Sequence, residues 1–267
     1  MKVEDKVFMI TGGGGGLGRE IALDLLARGA KVAAVDINEK ALSCTERLAG
    51  GLMDAISVFN VDITDEEAVK GLPLRIVERF GAVDAVINNA GIIQPFKRVN
   101  DLGRDTIERV FKINFFGALT VIRCFLPYLL KRPEAHIVNI SSMGGFLPVA
   151  GQAIYGASKA AVKILSEGLG AELSETGVGV TTVFPGAMFT DIKANSGLGE
   201  EAGAGPEGHS KDAALSPAKA ARMVVDAVER GASRLYIGKD AQVMNILYRL
   251  SPSIATSMIY KKISHKM

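Results

Sequence analysis

Short apolar segments alternate with helical patterns along the chain, and this alternation restricts the fold more than any other feature. Inside Lys6–Ile10 and Lys31–Asp36, for example, nearly every side chain is apolar. A strand that is apolar on both faces needs cover on both faces, as in a parallel sheet between two layers of helices. The pattern predicts an α/β fold with a doubly wound, seven-stranded, mostly parallel sheet, the arrangement called Rossmann-like.

The predicted elements fit one domain, because 267 residues suit a single α/β unit and neither a repeat nor a dividing linker is visible. We predict this domain over residues 1–240 and a separate tail over residues 241–267. A long Gly- and Ala-rich stretch, Ala194–Ala214, predicts a substrate lid at about residues 188–215, with a tolerated surface insertion as the alternative. The other predicted strands are Ile56–Val61, Val83–Ile87, Ala135–Ile140, Val178–Phe184 and Arg234–Ile237, and the predicted helices are Leu17–Arg28, Asn38–Leu48, Asp65–Phe80 (kinked at Pro73), Asp105–Leu130, Ile154–Glu175 and Pro217–Arg230.

The composition argues against several functions. Thirty-one Lys and Arg residues against 29 Asp and Glu leave a net charge of +2, so we do not expect a nucleic acid partner. The two cysteines and three histidines are scattered, which predicts neither a metal site nor a disulfide framework and favours a reducing, cytoplasmic location. We see no apolar run long enough to predict a membrane-spanning helix.

A run of glycines between the first strand and the first helix predicts a nucleotide-binding loop. Glycines let backbone N–H groups approach a pyrophosphate at a helix N-terminus. The run fits several spacings of dinucleotide-binding motifs equally well, and a plain tight turn is the alternative. Asp36 ends the second strand, where a carboxylate can accept hydrogen bonds from ribose hydroxyls and repels a 2′-phosphate. Since no basic residue lies within the run, we expect NAD rather than NADP, bound in part by Gly12, Gly16, Leu17, Gly18 and Asp36.

Further motifs occur in the order seen in one known family. Tyr155 and Lys159 form a Y-x-x-x-K signature, and Ser142 precedes the tyrosine by 13 positions. In these motifs the chain resembles the classical short-chain dehydrogenase/reductases, over roughly residues 5–240. The resemblance implies catalytic roles for Asn114, Ser142, Tyr155 and Lys159. It also implies cofactor contacts from Asp62, Ile63, Asn89, Ala90, Gly91, Tyr155, Lys159, Pro185, Gly186 and Thr190.

The chemistry of these residue types agrees with the resemblance. Tyr155 and Lys159 are four residues apart on a predicted helix and share one face. A nearby ammonium lowers the pKa of a phenol, so Tyr155 can serve as general acid or base near neutral pH. Ser142 follows the fifth strand and can hold the substrate oxygen; its neighbour Ser141 has the wrong spacing. Asn114 is a polar residue in an apolar helix, where it either holds a water near Lys159, as the family implies, or bonds only to backbone.

The expected function is NAD-dependent interconversion of a secondary alcohol and a ketone. A 3-oxoacyl-thioester reductase and a non-catalytic nucleotide-binding scaffold or redox sensor are the alternatives. An apolar substrate, steroid-like or fatty-acyl-like, is favoured by a set of apolar residues near the proposed site: Met143, Phe146, Leu147, Val149, Met188 and Phe189.

Two surfaces are expected to form contacts. The helix of Tyr155 has an unusually small-residue surface, and the family implies a homodimer or homotetramer through it. The tail contains an amphipathic helix that ends at Pro252 and precedes a basic end, Lys261–Lys266. We expect the tail to pack against the protein itself, with peripheral membrane contact as the less favoured alternative.

Overall fold

The computed structural model describes residues 1–188, 192, 196–198 and 215–263. In this part of the chain, seven strands form one sheet in the order β3-β2-β1-β4-β5-β6-β7. Every neighbouring pair is parallel, which confirms the predicted fold class. The strands are β1 Val7–Thr11, β2 Lys31–Asp36, β3 Ile56–Asn60, β4 Ala85–Asn88, β5 Ala135–Ile140, β6 Val178–Pro185 and β7 Arg234–Ile237.

Helices cover both faces of the sheet. Alternate residues of β1 point into two separate cores: Phe8 and Ile10 into one, Val7 and Met9 into the other. All four are buried, as a central strand covered on both sides requires. The helices are α1 Gly16–Ala27, α2 Glu39–Leu48, α3 Glu66–Lys70, α4 Leu72–Phe80, α5 Arg104–Phe111, α6 Ala118–Leu129, α7 Ala153–Glu172, α8 Pro217–Glu229, α9 Lys239–Leu250 and α10 Pro252–Ile263.

The predicted kink at Pro73 is a break between two helices. α3 ends at Lys70, the single residue Gly71 separates it from α4, and Pro73 lies in the first turn of α4. A proline is tolerated there, because the first N–H groups of a helix have no intrahelical partner to lose. The prediction of one continuous, kinked helix over residues 65–80 was therefore wrong.

The predicted long helix contains a π-helical turn, Lys112–Gly117, between α5 and α6. The stretch Arg104–Leu129 is long and apolar enough to cross a membrane by length and composition alone. However, Val121, Phe125 and Leu129 are fully buried in one of the two cores beside the sheet. This burial is typical of a core helix in an α/β fold.

The tail forms two helices, α9 and α10. Pro252 ends the first, as expected, but it also begins the second, which the sequence did not predict. Met244 and Ala255 pack with Leu147, from the loop that follows β5, in a small apolar cluster of their own. The tail therefore packs against its own protein with one face.

Candidate active site

The carboxyl ends of the strands surround a cavity of about 1000 Å³. Ligands bind at this edge in open α/β sheets, at the point where the strand order reverses. Here the reversal lies between β1 and β4. Most of the predicted site residues line the cavity: Gly12, Gly16, Leu17, Asp36, Asp62, Ile63, Asn89, Ala90, Gly91, Ser142, Tyr155, Lys159, Pro185 and Gly186.

Two predicted residues do not line it, and a third lies outside the described residues. Gly18 lies behind the loop, where a side chain would collide with the carbonyl oxygen of Gly12, so its role is close packing of α1. Asn114 is buried beneath the cavity. Thr190 lies outside the described residues, as do Phe189 and most of the predicted lid.

The glycine loop is shaped to receive an anion. Gly12 has a φ of +68°, a conformation that favours glycine. The first N–H groups of α1 have no intrahelical partners. Every residue of this helix is described, and it has neither a side-chain cap nor an acidic residue in its first turn. The positive end of the helix dipole therefore faces the cavity without a neutralising side chain from the helix itself.

Asp36 is held at the rim of the loop by two backbone donors. Its Oδ2 accepts from the N–H of Gly14 at 3.0 Å, and its Oδ1 accepts from the N–H of Asn38 at 2.9 Å. A side chain at position 14 would collide with this carboxylate, because an added Cβ would lie 2.9 Å from Oδ2. The carboxylate is thereby fixed where the second strand ends.

Thr11 joins β1 to the segment that follows β4. Its Oγ1 accepts from the N–H groups of Asn89 and Ala90 at 3.0 and 3.1 Å. The Asn89 side chain donates back to the carbonyl oxygens of Thr11 and Gly12. These bonds fix the two sides of the strand-order reversal against each other.

Lys159 is buried, and its Nζ donates to the carbonyl oxygen of Ile140 at 2.9 Å. Burial lowers the pKa of this lysine to about 8. The pKa of Tyr155, one helical turn earlier, is raised by burial, and its interaction with the Ser142 side chain opposes that effect. The direction differs from the expected lowering, because desolvation of the phenolate outweighs the other influences within the chain.

Ser142 and Ser141 have different roles in the structure. Both serines line the cavity. The Oγ of Ser142 accepts a hydrogen bond from the N–H of Gly144. Ser141 donates its hydroxyl proton to the carbonyl oxygen of Lys159 at 2.8 Å, which ties β5 to α7. The spacing argument had favoured Ser142 for the chemistry, and Ser141 is occupied in packing.

Asn114 lies in the π-helical turn and bonds to protein groups. Its Oδ1 accepts the N–H of Ile92 at 2.8 Å, and its Nδ2 donates to the carbonyl oxygen of Ile92 and to Ser158. Ser158 in turn donates to the carbonyl oxygen of Tyr155. The amide therefore joins the segment after β4 to the helix that carries Tyr155 and Lys159.

Comparison with known proteins decides the family. The model of the family described as short chain dehydrogenase matches residues 6–201. The chain belongs to this family. A Mycobacterium tuberculosis protein named as the oxidoreductase SadH is 36% identical over 255 residues, which cover 94% of this chain and 92% of SadH.

Two solved short-chain dehydrogenases have closely similar folds. One, from Burkholderia phymatum in complex with NAD, is 27% identical with a TM-score of 0.81, and the match covers 92% of each chain. The other, from Burkholderia cenocepacia in complex with NADP, is 26% identical with a TM-score of 0.80, covering 97% of this chain and 99% of that one. Structural neighbours thus bind either nicotinamide cofactor.

Three residues of this short-chain dehydrogenase escaped the sequence analysis. Arg19 lines the cavity and donates to the carbonyl oxygen of Gly14 and to Thr45, so a basic residue does stand beside the glycine run. Gln94 is fully buried and accepts the N–H of Tyr155 at 2.9 Å, which caps the first turn of α7. Arg19 directly follows Gly18 in the sequence, but its place beside the cavity depends on how its side chain folds back onto the loop. The contact of Gln94 joins segments 61 positions apart, which its neighbours in sequence do not indicate.

Asp240 is the third. It lies in the first turn of α9, and its Oδ2 accepts the N–H of Ala187 at 2.8 Å, just after β6. A side chain at Gly186 or Gly238 would collide with this carboxylate. The tail thereby holds the segment of Pro185 and Gly186 that lines the cavity.

Four of the six apolar residues expected to contact substrate divide into two groups, Val149 belongs to neither, and Phe189 lies outside the described residues. Three of them, Met143, Phe146 and Leu147, pack against the tail helices. Met188 lines the cavity, together with Ile92, Ile93 and Ile192, which the sequence analysis had not singled out.

Proposed function

We propose that the protein is an NAD-dependent oxidoreductase that interconverts a secondary alcohol and a ketone. One observation carries the proposal: Ser142, Tyr155 and Lys159 line the same cavity as the glycine loop and Asp36. Hydride transfer needs the cofactor and a proton-transfer group side by side, and this arrangement supplies both.

The loop fits a dinucleotide. Its glycines fit tightly against the surrounding protein, where side chains at positions 12 and 14 would collide with Asn89 and Asp36, and the N-terminus of α1 at the cavity suits a pyrophosphate. Asp36 would accept hydrogen bonds from the ribose hydroxyls, and Asp62 and Ile63 would lie near the adenine. The nicotinamide half would be contacted by Asn89, Ala90, Gly91, Pro185, Gly186 and Thr190. The fixed carboxylate of Asp36 supports NAD over NADP. When bound, NAD supplies the acceptor of the hydride.

Tyr155 would take the proton from the alcohol or return it to the ketone. Burial alone holds the pKa of its phenol high, so a positive charge is needed to favour the phenolate at neutral pH. Lys159, with a pKa of about 8, is mostly an ammonium at pH 7 and lies one helical turn away. The Oγ of Ser142 accepts a hydrogen bond from a backbone N–H, so its own hydroxyl proton could be donated to the substrate oxygen. Asn114 would support this group through Ile92 and Ser158.

An apolar substrate and a homo-oligomer complete the proposal. Ile92, Ile93 and Met188 give the cavity an apolar section that suits a steroid-like or fatty-acyl-like alcohol. Phe116 and Ile164 expose more than half of their surface on α5–α6 and α7, which supports a dimer or tetramer through these helices. The free thiols of Cys44 and Cys124 support a reducing, cytoplasmic location.

The test is a panel of secondary alcohols and 3-oxoacyl thioesters assayed with NAD and NADP for the absorbance of the reduced nicotinamide. With an accepted substrate, Tyr155→Phe should lower turnover by about 100- to 10,000-fold while NAD binding and thermal stability persist. Tyr128→Phe, a change of the same size away from the cavity, should leave turnover unchanged. Near-normal turnover in Tyr155→Phe contradicts the mechanism. Tight NAD binding without turnover on any member of the panel favours the scaffold or sensor instead.

A further inference from the structure

The two tail helices have an inner and an outer face. Ala241, Met244 and Ala255 on the inner face are buried. The outer face carries large apolar side chains that are each more than half exposed, and Leu250 reaches 80%. We call this set the outer tail face: Val243, Ile246, Leu250, Ile254, Met258 and Tyr260.

The spacing makes each helix present these residues on one side, except Tyr260, which follows Met258 by only two positions and points away from that side. Val243, Ile246 and Leu250 follow each other by three and four residues on α9, and Ile254 and Met258 are four apart on α10. Single exposed apolar residues are normal on protein surfaces, but six along two consecutive helices are typical of a binding surface.

The charge of the tail is of one sign. From Ala241 to Met267 the sequence has no Asp or Glu, and its basic residues are Arg249, Lys261, Lys262 and Lys266. Among the described residues, Arg249 and Lys261 are exposed next to outer-face residues in the chain. The outer tail face is therefore apolar with a basic border.

We infer that the outer tail face binds the surface of an anionic membrane. Apolar side chains of a surface helix enter the boundary between headgroups and acyl chains, while lysines and arginines meet the anionic headgroups and tyrosine prefers the interface. A second copy of the chain fits less well, because its tail would bring another Arg249 and Lys261 against those of the first copy, and residues 241–267 contain no Asp or Glu to pair with them.

The inner face of the tail helices packs close to the proposed active site. It packs on the loop of Met143, Phe146 and Leu147, which directly follows Ser142. A membrane at the outer tail face would thus lie one helical layer away from the loop of Ser142. The inference concerns binding alone and stands apart from the proposed function.

The experiment is flotation of the full-length protein with vesicles of phosphatidylcholine and phosphatidylglycerol, and with vesicles of phosphatidylcholine alone. We expect binding to the anionic vesicles, weakened by added salt. Ile246→Glu/Leu250→Glu should abolish it, and Lys261→Gln/Lys262→Gln should weaken it by about fivefold for each lysine removed. The control Leu48→Glu/Leu74→Glu makes the same charge change at two exposed leucines on α2 and α4 and should bind as the unaltered protein does.

Circular dichroism and the thermal midpoint check that each variant is folded. Absence of binding by the unaltered protein overturns the inference, and so does equal binding by the Ile246→Glu/Leu250→Glu variant. Analytical ultracentrifugation without lipid addresses the second copy: if this variant alone loses a dimer that the control keeps, the outer tail face is a protein interface and the membrane assignment is wrong.

Discussion

At the scale of single residues, Asp36 and Arg19 place opposite charges beside one cavity wall. The Asp36 carboxylate is fixed by the N–H groups of Gly14 and Asn38, while the Arg19 guanidinium is anchored on the carbonyl oxygen of Gly14. A ribose hydroxyl can donate to the carboxylate, whereas a 2′-phosphate is repelled by it. The guanidinium would attract that phosphate if the carboxylate were removed.

This balance gives a prediction about cofactor choice. Asp36→Ala should narrow or invert the preference for NAD over NADP, by about tenfold or more in the ratio of the two dissociation constants, because Arg19 then meets the phosphate unopposed. Equilibrium binding of both cofactors measures this ratio. Glu39→Ala, which removes one negative charge from the first turn of α2, should leave it unchanged. Tighter binding of NADP than NAD by the unaltered protein would show that Asp36 does not select the cofactor.

Most of the candidate site could be predicted at this scale because short motifs carry it. The Tyr155–Lys159 spacing and the position of Ser142 after a strand are visible in the sequence, and the structure brings all three to one cavity. Gln94 and Asp240 could not be found in this way. Each acts through hydrogen bonds to backbone groups more than 50 positions away in the chain, and the sequence shows only an ordinary polar residue.

At the scale of whole elements, α9 holds in place a segment that lines the edge of the cavity. Its first turn presents Asp240 to the N–H of Ala187, between two glycines that leave space for the carboxylate. The segment of Pro185 and Gly186 is therefore held from one side by β7, through the bond of Gly186 to the carbonyl oxygen of Ile237, and from the other side by the tail.

We expect Asp240→Ala to raise the KM for NAD by roughly tenfold with a smaller change in turnover, because a hydrogen bond to a charged acceptor is lost from the segment that lines the cavity. Asp240→Asn keeps an acceptor oxygen and should restore most of the affinity. Lys239→Ala, at the exposed neighbouring position, serves as the control. Steady-state kinetics with varied NAD provide the measurement, and an unchanged KM in Asp240→Ala would count against a positioning role.

The order and type of the elements were predictable, but three local features were not. Periodicity located each strand to within a few residues, because strands buried on both faces are apolar throughout. The break at Gly71, the π-helical turn around Asn114 and the helix after Pro252 depend on packing that one window of sequence does not contain. Pro252 predicts the end of a helix, but a proline is equally suited to the first turn of the next one.

At the scale of the whole molecule, the parallel sheet buries a histidine between two of its strands. His136 on β5 bonds through Nε2 to the hydroxyl of Thr181 on β6 at 2.7 Å, and that hydroxyl donates to the carbonyl oxygen of Ala232. Burial lowers the pKa of His136 from 6.5 to about 4. The folded protein thus holds this ring neutral where the unfolded chain would protonate it.

A pH dependence of stability follows. Above pH 6.5 both states are neutral at this position and the full stability is present. As the pH falls from 6.5 towards 4, the unfolded chain takes up the proton first, and the free energy of unfolding should decrease by about 3 kcal/mol. Urea unfolding over this pH range measures the slope. His136→Gln can donate to Thr181 but does not titrate, so its slope should be shallower; equal slopes would contradict the assignment.

The contact between Asp240 and Ala187 also has a consequence for the time at which the site is completed. A ribosome delivers the chain from its N-terminus, and N-terminal parts begin to fold during synthesis. The glycine loop, Ser142, Tyr155 and Lys159 all precede residue 187, whereas the carboxylate that holds this segment lies more than 50 positions later. A nascent chain can therefore carry every residue of the proposed chemistry and still lack the last restraint on its cofactor site until α9 has emerged.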